Sequence, residues 1–412
     1  MPVRLHLRAR TRARARTACA VAVVLGLTAG PLAGTALATP SSPSSPTLTV
    51  RESAERGSAE GESAGRHTVD PRTERALRAA VRGLPDDDAT AALVRVSGTD
   101  GSWRGSAGVR DLPSGRAALE DGRFRAGSTT KVVTAAVVLQ LAAEGGVDLD
   151  GHVQTYLPGL LPEAFEPITV RQLLTFTSGL KPGSSLGDVA GEGYERRYET
   201  LTPEEVVAAS AARGPAARPG ERQQYGNIDY TVLGLLIEEV TGDSYEHQAA
   251  VRVLRPAGMR HTSFPGGPDP RIHGPHNRGY QRLADGRLVD ATEWNMSDRW
   301  AAGDMISTTA DLERLLHALF RGRLVPRPLL EKEMFTLPDV PGATMSAGLQ
   351  RFDPGDGRIL WLKSGARPGY STVVAATRDL SRTLVYSVDA TDAKSEDMNP
   401  VAERIVRAAF GG

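Results

Sequence analysis

The stretch RFRAGSTTKVVTAAVVLQLAAEGG, Arg123–Gly146, decides how this chain is read. GRFRAG is a short strand that delivers the chain to Ser128. TTKVVTAAVVLQLAAEGG is then a helix, closed by Gly145 and Gly146. That helix is apolar on nearly every side, so the pattern predicts a central, buried one. Lys131 stands three residues after Ser128, and residues i and i+3 share a helix face. Lysine is scarce here: Lys131, Lys181, Lys332, Lys363 and Lys394 are the five among 49 basic residues. Arginine stays protonated in a protein, whereas a buried lysine can lose its proton. A neutral Lys131 amine can take the Ser128 hydroxyl proton, and the positive end of the helix dipole favours that serine. Taken alone, the tetrad equally describes a capping serine beside a surface cation.

Upstream, RTERALRAAVRGL has helical spacing, and TAALVRVSG and WRGSAGVRDL read as strands joined by the turn TDGS. Downstream, residues 147–290 are helical and loop-rich, with TVRQLLTFTSGL, TPEEVVAASAARG, YTVLGLLIEEVTG and SYEHQAAVRVLRPAGM as helical segments. The end returns to alternation: RILWLKSG, YSTVVAATRD and RTLVYSVDA read as antiparallel strands, and NPVAERIVRAAFGG as a closing helix. Strands at both ends and helices between predict an α/β fold, an antiparallel sheet flanked by helices. Its α/β part would span 71–146 and 291–412, around a mainly helical insert over 147–290.

Residues 1–38 carry six arginines, an apolar run from about Ala18 and a small-residue ALA at Ala36–Ala38. That is the pattern of a secretory signal peptide. Gly26, Gly30, Pro31 and Gly34 break the run, which argues against an uncleaved anchor. Residues 39–70, rich in Ser, Pro, Gly and charge, are expected to form a disordered tether. The folded domain would then be 71–412. Without residues 1–38, 43 basic face 49 acidic side chains, a net charge of −6, which gives no reason to expect a nucleic-acid partner. Cys19, the single cysteine, lies in the leader, so the exported protein is expected to have neither disulfide nor thiol chemistry. No later apolar run is long enough to span a bilayer, so no stable membrane insertion is expected.

Two more segments carry chemistry. In ERQQYGNIDYTVLGLL, Tyr225 and Asn227 are two apart before an apolar helix, so they point the same way in an extended or turn segment. A phenol relays protons; an amide holds a substrate carbonyl or the lysine. The plainer alternative is a packed aromatic and a helix cap. In RILWLKSGARPGY, Lys363, Ser364 and Gly365 lie on a strand. A cation beside a hydroxyl suits a substrate carboxylate, and glycine lets a ligand approach the backbone. The alternative is an edge-strand lysine that blocks aggregation.

Serine–x–x–lysine, then tyrosine–x–asparagine, then lysine–serine–glycine, in that order, resembles the penicillin-recognising serine hydrolases. Tyrosine in the middle element is most similar to the class C β-lactamase and D-alanyl-D-alanine carboxypeptidase branch. GGVDLDGHVQTYLP, ITVRQLLTFTSGL and AAGDMISTTADLERLLHAL resemble that family's framing segments, and the likeness covers roughly 72–410. The resemblance implies that Ser128 is the nucleophile and that Lys131 and Tyr225 share the proton work. It implies that Asn227 orients the substrate amide and that Lys363 and Ser364 hold its carboxylate. The N–H groups of Ser128 and Ala366, beside Gly365, would form the oxyanion hole. No cofactor or metal is implied, and His273 and His276 in HGPH are read as a polar loop rather than ligands. Two positions depart from the family pattern: Phe176, often histidine, and Ser364, more often threonine. The expected partner is a peptide or β-lactam-like small substrate such as a peptidoglycan stem, and the expected activity that of a D-alanyl-D-alanine carboxypeptidase. The alternatives are a β-lactamase, an esterase, a D-amino-acid amidase, or a non-catalytic cell-wall sensor.

Overall fold

The computed structural model describes residues 68–265, 268–395 and 397–411. The leader expected over 1–38 and nearly all of the tether expected over 39–70 lie outside them. At its end the tether reading needs correction. Thr68 already bridges Ser102, Val69 is buried, and Asp70 caps the first helix, accepting from Arg72 and Thr73. Val69 joins the core, and that contact fixes the chain two residues before the expected boundary.

Ten strands are present among the described residues: β1 (Ala89–Gly98), β2 (Trp103–Gly108), β3 (Phe124–Arg125), β4 (Tyr280–Arg282), β5 (Leu288–Asp290), β6 (Ile306–Ser307), β7 (Gln350–Phe352), β8 (Leu360–Arg367), β9 (Tyr370–Thr377) and β10 (Arg382–Ala390). Six form one antiparallel sheet in the order β2-β1-β10-β9-β8-β7. Helices of eight residues or more are α1 (Pro71–Ala80), α2 (Thr130–Ala143), α3 (Pro203–Ala211), α4 (Ile228–Thr241), α5 (Thr309–Phe320), α6 (Arg327–Met334) and α7 (Pro400–Phe410). The fold is therefore the expected one, an antiparallel sheet flanked by helices.

Side chains alternate across a strand, so the sheet supports two cores. Val94, Val96, Leu362, Val373, Leu384 and Tyr386 face one way, against α1 and α7. Trp361, Val374, Ala376 and Val385 face the other, toward α2 and the helical region. α2 is buried all round, as its composition requires: Val132 through Leu139 are all inaccessible to solvent. In the region 147–290 helices alternate with long loops, and the small hairpin β4–β5 closes it. Among the described residues no helix is long and apolar enough to cross a membrane.

One close approach positions the site. Gly127, at φ +53°, begins a 3-10 turn over Gly127–Thr129 that leads into α2. That turn packs on β8. A methyl group placed on Gly365 would stand 2.0 Å from the Ala126 carbonyl oxygen, and one on Gly127 would stand 2.6 Å from Ala366 N. Only two glycines let the backbones meet this closely.

Candidate active site

Ser128 lies on that turn, partly open to a cavity of about 310 Å³. Tyr225, Lys363, Ser364, Gly365 and Ala366 line the same cavity. Lys131, the second residue of α2 and three residues on from Ser128, is fully buried behind it. Its Nζ donates to Ser128 Oγ at 3.2 Å, to Asn227 Oδ1 at 2.7 Å and to the Ala302 carbonyl at 2.7 Å. All eight residues singled out in the sequence thus converge on one place.

The electrostatics suit proton transfer. Burial pushes the Lys131 ammonium down to about 8, with Lys363 adding to the fall and Tyr225 opposing it. Burial pushes the Tyr225 phenol up, but the positive charges of Lys131 and Lys363 outweigh it and bring the phenol down to about 7. Lys131 Nζ is 5.1 Å from the Tyr225 ring centroid and Lys363 Nζ is 4.8 Å from it. The buried Tyr225 hydroxyl makes no hydrogen bond of good geometry among the described residues, although it lies beside Ser128 and Lys131. An unsatisfied buried hydroxyl between a nucleophile and an amine is placed to accept or return a proton once a substrate arrives.

Two positions make contacts beyond those the resemblance implies. Asn227 takes the N-cap position of α4, yet its side chain does not cap. Its Oδ1 accepts from Lys131 Nζ, so it orients the amine. Lys363 is buried; its ammonium donates to the Ser364 carbonyl at 2.8 Å and covers Tyr225. It therefore acts on the phenol and also lines the cavity, with further N–H donors beyond the one given to Ser364. β7 pairs β8 only as far as Leu362, so from Lys363 on β8 opens to the cavity, and Lys363, buried there, does not project into solvent as a blocking edge residue.

Phe176 is buried with φ +59°, and its ring lies 4.8 Å from Tyr225 and 5.1 Å from Tyr230. It packs against the phenol, so the departure from histidine is absorbed as packing. His273 pairs with Asp269, and His276 contacts the Gly274 carbonyl of its own loop. Neither faces the site.

Sequence reasoning missed several supporting residues. Gln223 spans the cavity wall: it donates to the Thr175 and Met345 carbonyls and accepts from Thr344 N and Met345 N, each within 2.9 Å. Asp229, buried beside Lys131, accepts from Ser178, and burial lifts its carboxyl to about 7. Lys394 lines the cavity from the loop after β10. The scarcity of lysine that singles out Lys131 and Lys363 applied equally to Lys394.

With this geometry in place, comparison with known proteins is informative. The Beta-lactamase family model matches residues 77–408. Esterase EstB of Burkholderia gladioli is 32% identical over 205 residues, covering 46% of this chain and 52% of its own length. A Bacillus subtilis (strain 168) relative, provisionally designated penicillin-binding protein PbpX, is 29% identical over 253 residues, covering 60% of this chain and 57% of its own. The chain thus spans about half the length of the curated relatives it matches. Among solved structures, a D-stereospecific amidohydrolase from Streptomyces sp. superposes with a TM-score of 0.72 at 30% identity, covering 82% of this chain and 98% of that one. The D-amino acid amidase of Ochrobactrum anthropi SV3 gives 0.68 at 25%, with the same coverage. A family match over more than three-quarters of the sequence and a serine–lysine–tyrosine site of this geometry lead to one statement: the chain belongs to the beta-lactamase family, a family of hydrolases.

Proposed function

We propose that this protein is an exported serine peptidase that cleaves the amide bond following a D-residue, with removal of a carboxy-terminal D-amino acid as its principal reaction. The observation that carries the reading is Lys131 Nζ, 3.2 Å from Ser128 Oγ, buried and shifted to about 8 beside a phenol shifted to about 7. The D-preference draws on the names of the two solved structures it resembles along nearly their whole length. Export draws on the leader pattern over residues 1–38.

In this mechanism Ser128 Oγ attacks the amide carbonyl. Its proton passes to the Lys131 amine or the Tyr225 phenolate. The N–H groups of Ser128 and Ala366 receive the developing oxyanion; donors of this kind are worth about 3 kcal/mol each. The proton then goes to the departing nitrogen, the C–N bond breaks, and an ester to Ser128 remains. Water adds to that ester with the same groups taking its proton, and the acid is released with Ser128 restored.

The second reading, hydrolysis of simple D-amino-acid amides, is favoured by the name of the amidase neighbour. The test of the common mechanism uses a diacyl tripeptide ending in D-alanyl-D-alanine, its L,L isomer, and penicillin followed by intact mass. Release of D-alanine from the D,D isomer and a penicillin-sized adduct, both absent in Ser128→Ala, support it. Equal cleavage of the L,L isomer, or cleavage that persists in Ser128→Ala, overturns it.

A further inference from the structure

We propose that Trp300 is a positioning residue: its strained backbone, held by its own indole ring, aims three successive carbonyls at Thr134, Lys131 and Arg367 and so fixes the amine and the end of β8 as one unit. The inference deepens the serine-peptidase reading above and rests on it for its kinetic consequence.

The short helical turn Trp300–Gly303 packs on α2, on α4 and on the turn that carries Ser128. Its carbonyls are used in order. Ala301 O accepts from Thr134 Oγ1 at 2.6 Å, Ala302 O from Lys131 Nζ at 2.7 Å and Gly303 O from Arg367 Nε at 2.9 Å. Arg367 follows Ala366, whose N–H is assigned to the oxyanion above. Further along, Met305 O accepts from Ala126 N at 2.8 Å and Met305 N donates to Thr130 Oγ1 at 3.2 Å. Those two partners stand on either side of Gly127–Thr129. The segment Trp300–Met305 therefore grips the nucleophile turn, the amine and the end of β8 together.

Trp300 has φ +25°, outside the regions open to a bulky L-residue. Such strain persists only where the surroundings over-determine the backbone. Here the indole does so. Its N–H donates to Glu246 Oε1 at 2.8 Å. The ring stands edge-on to Tyr245, with centroids 5.4 Å apart. It lies so close over Gly234 that a methyl group there would be 2.6 Å from it. Tyr245 is fully buried, and its hydroxyl shares a hydrogen bond of 2.9 Å with Thr134 Oγ1. Contacts thus run from Trp300 to Tyr245, on to Thr134 and back to the Ala301 carbonyl. The ring that holds the strain rests on the helix that carries Lys131.

The consequence for the amine has a definite sign. A carbonyl that accepts from an ammonium favours its charged form. If the turn relaxes, Lys131 loses the Ala302 acceptor and gives up its proton at lower pH. Tyr225, Asp229, Lys363, Arg367 and Lys394 also act on that amine and are unaltered in the variants below.

The test follows Lys131 directly, by carbon-13 NMR of protein labelled at the lysine ε-carbon. Five lysines give few signals, and the Lys131 signal is the one missing in Lys131→Met. The rate of acylation by penicillin is measured alongside. Trp300→Leu keeps the strain and loses the indole. Its Lys131 is expected to titrate roughly half a unit or more lower, with acylation slowed about tenfold or more and non-covalent penicillin binding within about twofold. Trp300→Phe keeps a ring against Tyr245, loses the bond to Glu246, and should fall between leucine and wild type. Trp300→Gly loses the ring but adopts positive φ without strain, so it should restore part of what leucine loses despite the larger cavity. An unchanged Lys131 titration in Trp300→Leu overturns the inference. So does a Lys131 shift larger in Trp300→Gly than in Trp300→Leu, which is the order simple packing predicts. Should those two variants not fold, Trp300→Phe decides: a lowered titration supports the inference and an unchanged one overturns it. If the wild type forms no Ser128 adduct with penicillin, the serine-peptidase reading falls, and the Lys131 titration alone decides whether Trp300 positions the amine.

Discussion

Lys363 holds its positive charge against two groups at once. It lies over Tyr225 and lowers both the phenol and the Lys131 ammonium, bringing them to about 7 and about 8 against the opposing effects described above. Whichever of the two takes the Ser128 proton must be deprotonated to do so. The rate of acylation therefore rises as pH climbs through that group's pKa. Replacing Lys363 by Met removes a cation felt by both, so both pKa values rise and the acid limb of kcat/KM moves to higher pH. A shift of roughly half a unit or more is expected, at about 1.4 kcal/mol per unit. A limb that stays in place, or moves to lower pH, would rule this role out. At this scale the sequence was legible where residue scarcity gave contrast. Among 49 basic residues, five lysines stand out, and three of them meet at the cavity. What scarcity cannot supply is direction. Asn227 reads as a cap, a substrate ligand or a partner of the lysine until its Oδ1 is found on Lys131. Ser178 and Asp229 lie 51 residues apart, and nothing in either neighbourhood announces their bond.

The 3-10 turn over Gly127–Thr129 and strand β8 are the pair of elements on which the site is built. Their contact is backbone on backbone, with Gly365 under the Ala126 carbonyl. Gly365→Ala inserts a methyl group where the nearest atom is a main-chain oxygen, which cannot rotate away. The turn carrying Ser128 must then move relative to Ala366. A displacement of about 1 Å in a reacting group can cost about a hundredfold in rate. Gly365→Ala is therefore expected to lose a hundredfold or more in penicillin acylation rate while its far-UV circular dichroism stays that of the wild type. An acylation rate within a few-fold of the wild type would show that the contact does not position Ser128. The alternating strands and the all-apolar α2 were legible because their periodicities are strong. The turn before α2 was not, since Gly-Ser-Thr reads as the helix start itself. SYEHQAAVRVLRPAGM reads as one helix, yet it is an α-helical turn, a π-helical stretch over Ala250–Leu254 and a last turn over Arg255–Ala257. Pro256 has no N–H to give the carbonyl four residues back, and a widened turn accommodates its ring.

The described domain is closed by pairing its first long strand with its last. β1 pairs with β10 from Ala89↔Ala390 to Gly98↔Arg382, and α1 and α7 cover the outer face of that pairing. That strands lie toward both ends of the domain was visible in the alternation of the sequence. The order β2-β1-β10-β9-β8-β7 was not, because partner choice across nearly 300 residues leaves no local trace. The consequence is that helix α7, which touches no catalytic group, is needed to build the site. It buries Val401, Ala402, Ile405, Ala409 and Phe410 against the sheet and α1. Each large apolar side chain buried in this way is worth about 1.5–3 kcal/mol. Together they approach the roughly 5–15 kcal/mol that holds a whole domain. A chain ending at Asn399 also leaves β10, and hence the Lys394 loop and β8 beyond β9, without a covered face. Such a chain is expected to show no cooperative thermal transition and no Ser128 adduct with penicillin, although every residue named as catalytic is present. A truncated chain that melts cooperatively and is labelled at the full-length rate would show instead that the sheet stands without its outer helix.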